Sequence, residues 1–397
     1  MTSRDERIEQ PWSLPRLRST NERLLLDRLR DKGATSRAEL ARLTGLSKPT
    51  VSSALASLEQ SGLVREAGLI SPERGRTAVL YEPDPTAGYA LGIDIGRSWL
   101  RVAVADLAGS VVARRDVRNR ARSSGAIADL VVATSREVVL ESGASADKVA
   151  HAVVGTPGVY DEETGQVRHA RNLPGWGKAG LFDRIRQGLG VPLTVHNDAN
   201  LAALGEYTFG VGAGSRLFVY LLVGTGLGVG VVNEGRLFRG AHGGAGEIGL
   251  IPWLGVPGPA GGREDRPETL ESVASGQAVA EAARAFGMKG APTAERVFEA
   301  ARSGDAAALR AVELEGGRLA HAVAAVTALF DPDLVVLGGG IGHSSDLLLR
   351  PIQDTLRGIS PLRTPLVGSE LGDDAVLLGA LATALDSARD LTFEQRA

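Results

Sequence analysis

At 397 residues and 43% hydrophobic composition, the chain is long enough for two or three globular domains. Its net charge of −3 neither favours nor excludes nucleic acid, but residues 1–82 carry 14 Lys and Arg against 11 Asp and Glu, a sign that suits DNA binding. The lack of cysteine excludes disulfides and thiolate zinc sites, and without a secretion signal or an uncharged apolar run of ~18 residues we expect a cytoplasmic protein with no membrane span.

The first 82 residues predict a polar tail, three helices and two strands. Residues 1–16 are polar, include two prolines and are expected to be disordered. Capping residues and terminating glycines place helices at about 21–31, from Ser36 and from Ser47. In the third helix, apolar residues repeat at i, i+4 and i+7 and are expected to face the core, namely Val51, Leu55 and Leu58.

These elements predict a winged helix-turn-helix over residues 17–82. Gly45 stands in the turn before the third helix, and strands at 63–66 and 77–81 form the wing. The free face of the third helix carries short polar side chains that suit base edges and phosphates. The residues predicted to contact double-stranded DNA are Ser47, Lys48, Pro49, Thr50, Ser53 and Ser57 on the helix and Arg74 and Arg76 on the wing. The alternative is a winged helix that makes only protein contacts.

Beyond the prolines of the 83–85 linker, a strand-strand-strand-helix-strand pattern occurs twice. The first copy has strands at 90–95, 100–106, 111–117 and 151–155, and the second has strands at 217–223, 228–233, 235–238 and 334–337. We therefore predict an α/β body over residues 83–397 with two similar lobes and a cleft between them. Lobe I takes about residues 86–200 plus a final helix at 375–390, and lobe II takes about 201–374.

Three glycine-containing turns follow strands that end at this cleft. Glycine lets backbone N–H groups approach a phosphate, which makes each turn a candidate phosphate loop. The residues concerned are Asp94, Gly96 and Arg97 in the first turn, Gly224, Thr225 and Gly226 in the second, and Gly338 and Gly339 in the third. For the first two the alternative is a plain hairpin, and for the third it is a close packing point between strand and helix.

Carboxylates also follow strands that lead into the cleft. Asn197 and Asp198 end a predicted strand, where an amide and a carboxylate can hold vicinal sugar hydroxyls and the carboxylate can accept a proton as general base. The alternative is a helix N-cap at Asp198 or Asn200. Glu247 lies on the glycine-rich turn 243–249, where a buried acid without a ligand would be costly.

In this order the motifs resemble those of the ROK family (repressors, open reading frames and kinases), and the whole chain resembles its regulator branch over about residues 17–390. The resemblance implies an actin-like, hexokinase-type body and a homodimer or tetramer, in which the two heads of a symmetric dimer bind a palindromic operator. It implies sugar contacts from Asn197, Asp198, Glu247 and Glu271, with Asp198 matching the catalytic base of the kinases.

The chain departs from the family pattern at three places. Leu250 stands where most members have a His that serves both sugar and zinc, and residues 252–267 lack the cysteines of the family's zinc knuckle. We therefore expect no metal and no other cofactor, with the prolines and a buried Trp253 replacing part of that restraint. A mobile loop is the alternative. Arg97 replaces a glycine of the kinase phosphate loop.

These features predict a DNA-binding transcriptional repressor of carbohydrate-related genes, with a sugar or sugar-derivative effector in a degenerate kinase cleft. Asp198 is then a vestigial base, and no residue is catalytic. Two alternatives stay open. One is a sugar kinase with a DNA-binding head, which Asp198 favours and Arg97 opposes. The other is a ligand-independent DNA-binding protein, which the loss of the His and of the zinc knuckle favours.

Overall fold

The structure, a computed structural model, describes residues 14–71, 77–168, 180–253 and 268–396, with side chains from residue 18 onward. Within these ranges the chain forms a small N-terminal head and a larger two-lobed α/β body, the fold class that the sequence predicts. No helix in the described ranges is both long and apolar enough to cross a bilayer.

The head consists of α1 (Leu14–Lys32), β1 (Thr35–Ser36), α2 (Arg37–Thr44), α3 (Lys48–Gln60), β2 (Val64–Ile70) and β3 (Ala78–Pro83). Its strands form one antiparallel sheet in the order β1-β3-β2. The hydroxyls of Ser36 and Ser47 cap α2 and α3, each accepting a backbone N–H at 3.3 Å, and Gly45 ends α2 with a φ of 70°. Each cap and the turn glycine match the sequence prediction.

Two features of the head differ from the prediction. Residues 14–16, expected to be disordered, belong to α1, because Pro15 lies in the first helical turn, where a missing N–H costs no hydrogen bond. Strand β1 was not predicted, since two residues are too few to show an alternating pattern. The rest of the expected disordered segment, residues 1–13, lies outside the described residues.

Lobe I is built around a five-stranded sheet with helices beside it. Its elements are β4 (Tyr89–Ile95), β5 (Trp99–Asp106), β6 (Val111–Arg118), α4 (Ser124–Glu141), β7 (Val149–Thr156), the hairpin β8 (Val159–Asp161) and β9 (Gln166–Arg168), α5 (Leu181–Leu189) and β10 (Leu193–Asn197). The sheet order is β10-β7-β4-β5-β6. Strands β4 and β7 are buried along their whole length, as expected for strands covered on both faces.

Lobe II repeats this arrangement. Its strands are β11 (Leu217–Val223), β12 (Leu227–Asn233), β13 (Arg236–Leu237), β14 (Leu334–Gly338) and β15 (Leu366–Gly368), in the order β13-β12-β11-β14-β15. Its helices are α7 (Leu270–Val273), α8 (Gly276–Ala285), α9 (Ala294–Arg302), α10 (Ala306–Phe330), α11 (Gly339–Gly342) and α12 (Ser345–Ile359). In both sheets the first three strands are antiparallel neighbours, and the last two continue in parallel on the other side of the first.

Two helices, α6 (Asp198–Phe209) and α13 (Ala375–Arg396), lie between the two sheets and pack on each other. Helix α6 contacts β11 and β12 of lobe II, whereas α13 contacts β4, β5 and β7 of lobe I. Their crossing is close because of two glycines. A Cβ on Gly379 would lie 1.8 Å from the carbonyl oxygen of Leu201, and one on Gly205 would lie 2.2 Å from that of Ala375.

The head packs against the C-terminal half of α13. Buried leucines of α1 and α3 share one hydrophobic core with Leu385, Ala388 and Phe393 of α13. Arg23 of α1 forms an ion pair with Asp390 and lies over the ring of Phe393, with the guanidinium carbon 5.3 Å from the ring centroid. Helix α13 is longer than the predicted 375–390 because its last turns form this seam with the head.

Candidate functional site

The candidate DNA-contacting face lies on α3, opposite the buried side chains of Val51, Leu55 and Leu58. Most of the predicted contact residues on this helix are exposed, namely Ser47, Lys48, Pro49 and Ser53. The other two, Thr50 and Ser57, are half-buried. The hydroxyls of Ser47 and Thr50 lie 2.8 Å apart, at the helix N-terminus, where backbone N–H groups favour phosphate. Arg74 and Arg76, predicted at the wing tip, lie outside the described residues.

Carboxyl groups from both lobes come within electrostatic range of one another in the cleft. Burial raises the pKa of Asp94 to about 7, with Arg101 opposing the rise and Asp198 adding to it. Burial also raises the pKa of Asp198 to about 6, against hydrogen bonds from backbone N–H groups. Burial first, then Asp198 and Glu271, raise the pKa of Glu247 to about 7. The structure thus brings Asp198, Glu247 and Glu271, the acids that the family resemblance assigned to a sugar site, together with Asp94 of the first candidate phosphate loop.

The side chain of Asn197 has structural partners at both of its polar atoms. Its Oδ1 accepts the N–H of Asn200 at 3.2 Å and so caps α6, while its Nδ2 donates to the carbonyl of Gly158 at 3.1 Å. The helix therefore begins at Asp198, and its cap is Asn197 rather than Asp198 or Asn200. This cap holds the Asp198 carboxylate at the end of β10, where it accepts the N–H of Ala199 at 2.8 Å.

Glu271 connects the acidic cluster to the glycine turn between β11 and β12. Its carboxylate accepts the N–H of Leu227 at 3.1 Å, and a Cβ on Gly226 would lie 2.6 Å from the same carboxylate oxygen. The N–H of Gly224 donates to the carbonyl of Gly226 at 2.9 Å. The N–H of Gly224 in this candidate phosphate loop, and that of Leu227 directly after it, are therefore already bonded within the protein.

The first candidate phosphate loop is a closed hairpin turn. The N–H of Gly96 donates to the carbonyl of Trp99 at 2.9 Å, and Asn119 Nδ2 donates to the carbonyl of Gly96 at 2.8 Å. Arg97 is exposed on this turn. The Asp94 carboxylate is not open either, because its Oδ2 lies 3.2 Å from Nη1 of Arg101.

Arg101 is the residue of this site that sequence reasoning missed. Its side chain is only 12% exposed and bridges Asp94 to Asp373, whose Oδ2 lies 2.9 Å from Nη2 of Arg101. The other Asp373 oxygen lies 3.4 Å from Nδ1 of His343, which follows α11 in lobe II. A signal was available, since Arg101 lies seven residues after Asp94 on the partner strand of one hairpin, and Asp94 and Arg101 are directly opposite in register.

The third glycine turn is tightly packed. A Cβ on Gly338 would lie 1.9 Å from Oη of Tyr220, and one on Gly339, at φ +83°, would lie 2.6 Å from the carbonyl oxygen of Val223. Both glycines are thus required by contact with β11, which favours the packing-point interpretation for them. Gly340 has open space where a Cβ would point.

The region after Glu247 has no metal ligands among its described residues. Leu250 ends a short 3₁₀ turn and is exposed, and Trp253 is half-buried with its ring 5.0 Å from that of His321 in α10. A backbone bridge pairs Pro252 with Thr269, so the two described ends of the segment are held together. Residues 254–267 lie outside the described residues. Across the described ranges, no group of three or more His, Asp or Glu side chains could hold a metal ion.

Comparison with known proteins assigns the family. Residues 90–387 match the ROK family, and residues 18–65 match the winged helix-turn-helix DNA-binding domain. The chain therefore belongs to the ROK family and carries a winged helix-turn-helix at its N-terminus.

Relatives with two different activities resemble different extents of the chain. A xylose repressor from Caldicellulosiruptor bescii is 26% identical over 388 residues, covering 93% of this chain and 96% of its own. A glucokinase from Halalkalibacterium halodurans is 31% identical over 311 residues, covering 73% of this chain and 92% of its own. The match to the repressor thus spans head and body together, whereas the match to the kinase is only about as long as the body.

Solved structures show the same division. A ROK family transcriptional regulator, a homologue of the Escherichia coli Mlc protein, superposes with a TM-score of 0.73 at 24% identity over 96% of this chain and 98% of its own. A ROK family glucokinase from Streptomyces griseus, in complex with glucose and AMPPNP, superposes with a TM-score of 0.64 at 28% identity over 75% and 100%. The fold of head and body together is therefore one already seen in a solved structure.

Proposed function

We propose that the protein is a DNA-binding transcriptional repressor of carbohydrate-related genes, whose DNA affinity is set by a small molecule in the cleft. One observation carries this proposal: an exposed polar face on α3 belongs to a head that shares a hydrophobic core with the sugar-kinase-like body. Similarity to the xylose repressor over nearly the full length of both chains supports it. Two heads of a symmetric homodimer would bind half-sites of one palindromic operator.

The charge of the cleft favours a neutral effector rich in hydroxyl groups. Asp198, Glu247 and Glu271 present acceptor oxygens and, where the raised pKa keeps a proton at neutral pH, carboxylic acid donors as well. An anionic effector would meet repulsion from these same groups. Leu250 cannot supply the hydrogen bond that a His would give, so the hydroxyl at that position goes without this partner. A sugar or sugar derivative that lacks or replaces that hydroxyl fits best.

The experiment that tests this function is a binding titration of the full chain with duplex DNA from upstream of its own coding region. We expect tight binding that weakens steeply with salt, because the predicted DNA contacts Lys48, Arg74 and Arg76 would displace counterions. Adding each of a panel of neutral pentoses, hexoses and amino sugars should change the affinity for one of them. Ser53→Ala should cost about 1–3 kcal/mol and relax preference for one base position, whereas the matched exposed control Ser110→Ala in the body should change nothing.

A second candidate function is sugar phosphorylation, which the glucokinase relatives and the retained Asp198 favour. We propose that the protein lacks this activity. Phosphoryl transfer depends mainly on holding the nucleotide phosphates and neutralising their charge. Here the Asp94 carboxylate is paired with Arg101, and the N–H groups of Gly96 and Gly224 are bonded to protein carbonyls.

A further inference from the structure

A cavity of about 340 Å³ lies at the seam between head and body, apart from the sugar cleft. Arg30 of α1 and the ion-paired Arg65 and Glu82 of the wing strands line it from the head. The body contributes Arg389 of α13 and the turn that follows β5. Its volume is at the lower end of small-molecule sites, which span about 300–1,000 Å³.

Two guanidinium groups from different domains face this cavity with like charge. The side chains of Arg30 and Arg389 are only 21% and 27% exposed. Burial lowers the pKa of Arg30, and the charge of Arg389 lowers it further. Like charges that are partly withdrawn from water destabilise the seam unless an anion lies between them.

The carboxylates around the cavity offset these two charges only in part. Glu82 lies 2.8 Å from Arg65 and neutralises that residue instead. Asp27 lies 3.2 Å from Arg30 but is 52% exposed, and Asp386 lies 4.0 Å from Arg389 and is 85% exposed. Water and salt screen such exposed carboxylates, so they compensate weakly for a half-buried pair of cations. The charge of Asp390 also acts to raise the pKa of Arg30, but Asp390 forms its ion pair with Arg23.

The Arg389 guanidinium is held in place at the seam. Its Nε donates to the carbonyl of Leu107 at 3.0 Å. Its Nη1 lies 4.0 Å from the exposed Asp386 carboxylate, beyond hydrogen-bond distance, so the terminal nitrogens can still bind a ligand. A planar guanidinium binds phosphate through two parallel N–H bonds, and two such groups can share one phosphate dianion.

We propose that this seam binds a small phosphate monoester between Arg30 and Arg389, and that binding clamps the head to the body. The ligand is a second effector, distinct from the neutral molecule in the cleft. Its action is to make the orientation of the head depend on the concentration of a phosphorylated metabolite, because the phosphate joins a residue of α1 to a residue of α13.

Thermal unfolding of the full chain tests the proposal at constant ionic strength, with sodium chloride, inorganic phosphate or glycerol 3-phosphate as the added salt. We expect both phosphates to raise the Tm above that in chloride, and glycerol 3-phosphate to act at a lower concentration. Arg389→Gln and, as an independent variant, Arg30→Gln should each weaken the response at least tenfold. The matched control is Arg350→Gln, since Arg350 is 90% exposed on α12. It should respond like the unmodified protein.

Amide hydrogen exchange supplies the second measurement. Phosphate should slow exchange in α1 and in the last turns of α13 of the unmodified protein, and should not do so in Arg389→Gln. Equal Tm values in chloride and in both phosphates would overturn the proposal, as would a loss of response in Arg350→Gln equal to that in the seam variants. If Arg389→Gln weakens binding of duplex DNA while neither phosphate binds the unmodified protein, the seam contacts the DNA backbone and holds no metabolite.

Discussion

Single residues decide what the cleft can do. Asp94 lies in the turn that the sequence predicted as a phosphate loop, but Arg101 lies opposite it in the same hairpin and forms an ion pair with its carboxylate. Arg101 also reaches Asp373, and Asp373 in turn approaches His343 of lobe II. The group that would face nucleotide phosphates is therefore part of a link between the lobes.

We expect the unmodified protein to show no sugar-dependent ATP turnover. A general base such as Asp198 supplies only about 10²–10⁴-fold in rate, and it cannot replace positioning of the phosphates. A coupled assay of ADP formation with a panel of sugars measures this. Asp198→Asn is the control and should give the same background rate. ADP formation that needs one particular sugar and disappears in Asp198→Asn would identify a working kinase. It would show that Arg101 and Arg97 do not prevent phosphoryl transfer.

Glu315 is a second residue whose environment sets a testable property. It lies on α10, is 1% exposed, and within the described chain neither of its carboxylate oxygens has a hydrogen-bond partner. Burial raises its pKa to about 8, with Arg318 opposing the rise. Because the pKa in the folded state exceeds the usual value of 4.5, the folded protein holds the proton more tightly than the unfolded chain. Glu315 therefore lowers stability progressively as pH rises from about 4.5 to about 8.

Glu315→Gln should remove this loss, because a neutral amide replaces a group that must stay protonated. We expect the free energy of unfolding at pH 8 to rise by about 1–3 kcal/mol relative to the unmodified protein, with little change at pH 5. Urea unfolding at pH 5, 6, 7 and 8 measures the difference. Glu313→Gln, an exposed neighbour on the same helix, is the control and should run parallel to the unmodified protein. If the free energy of unfolding of Glu315→Gln also changed with pH in parallel with that of the unmodified protein, ionisation of Glu315 would carry no cost in stability.

At the scale of elements, local patterns predicted most of the fold. The repeated strand unit predicted the strands of both sheets except the three-residue β15, and the caps at Ser36 and Ser47 predicted the two helices of the helix-turn-helix. Contacts between distant segments could not be predicted in this way. The extension of α13 to Arg396 depends on the head, whose residues lie more than 300 positions earlier. The pairing of Arg101 with Asp373 could not be predicted for the same reason, since it joins a strand of lobe I to the distant turn before α13.

The segment that follows Leu250 should hold its shape without zinc. Its described ends are joined by the bridge between Pro252 and Thr269, and Trp253 packs edge-on against His321. We expect elemental analysis of tag-free protein to find far less than one zinc per chain, and a chelator to leave the Tm unchanged. Trp253→Ala should lower stability by about 1–2 kcal/mol, less than for a fully buried Trp because this ring is half-buried. About one zinc per chain would contradict the prediction that this segment lacks the residues to bind zinc.

At the scale of the whole molecule, α6 and α13 connect the cleft to the head. Helix α6 begins at Asp198 in the acidic cluster, crosses α13 at Gly205 and Gly379, and α13 ends against the head at Phe393. The crossing is close because each glycine leaves no room for a side chain. We therefore expect movement of one helix to displace the other, which would give a ligand in the cleft a physical route to the DNA-binding face.

Gly379→Ala should loosen the head as well as the body. The added methyl group would lie 1.8 Å from the carbonyl oxygen of Leu201, so the helices must separate, at a cost of about 1–3 kcal/mol in the free energy of unfolding. The matched control is Gly358→Ala on α12, where a Cβ meets nothing within 4 Å and the loss of a helical glycine should stabilise by about 0.5–1 kcal/mol.

Amide hydrogen exchange then measures the coupling between this crossing and the head. We expect faster exchange in α13 and α6 of Gly379→Ala to be accompanied by faster exchange in α1 and α3, because the head shares its core with α13. Exchange that rises in α6 and α13 while α1 and α3 stay unchanged would show that the head is stable on its own and that this crossing does not transmit to it.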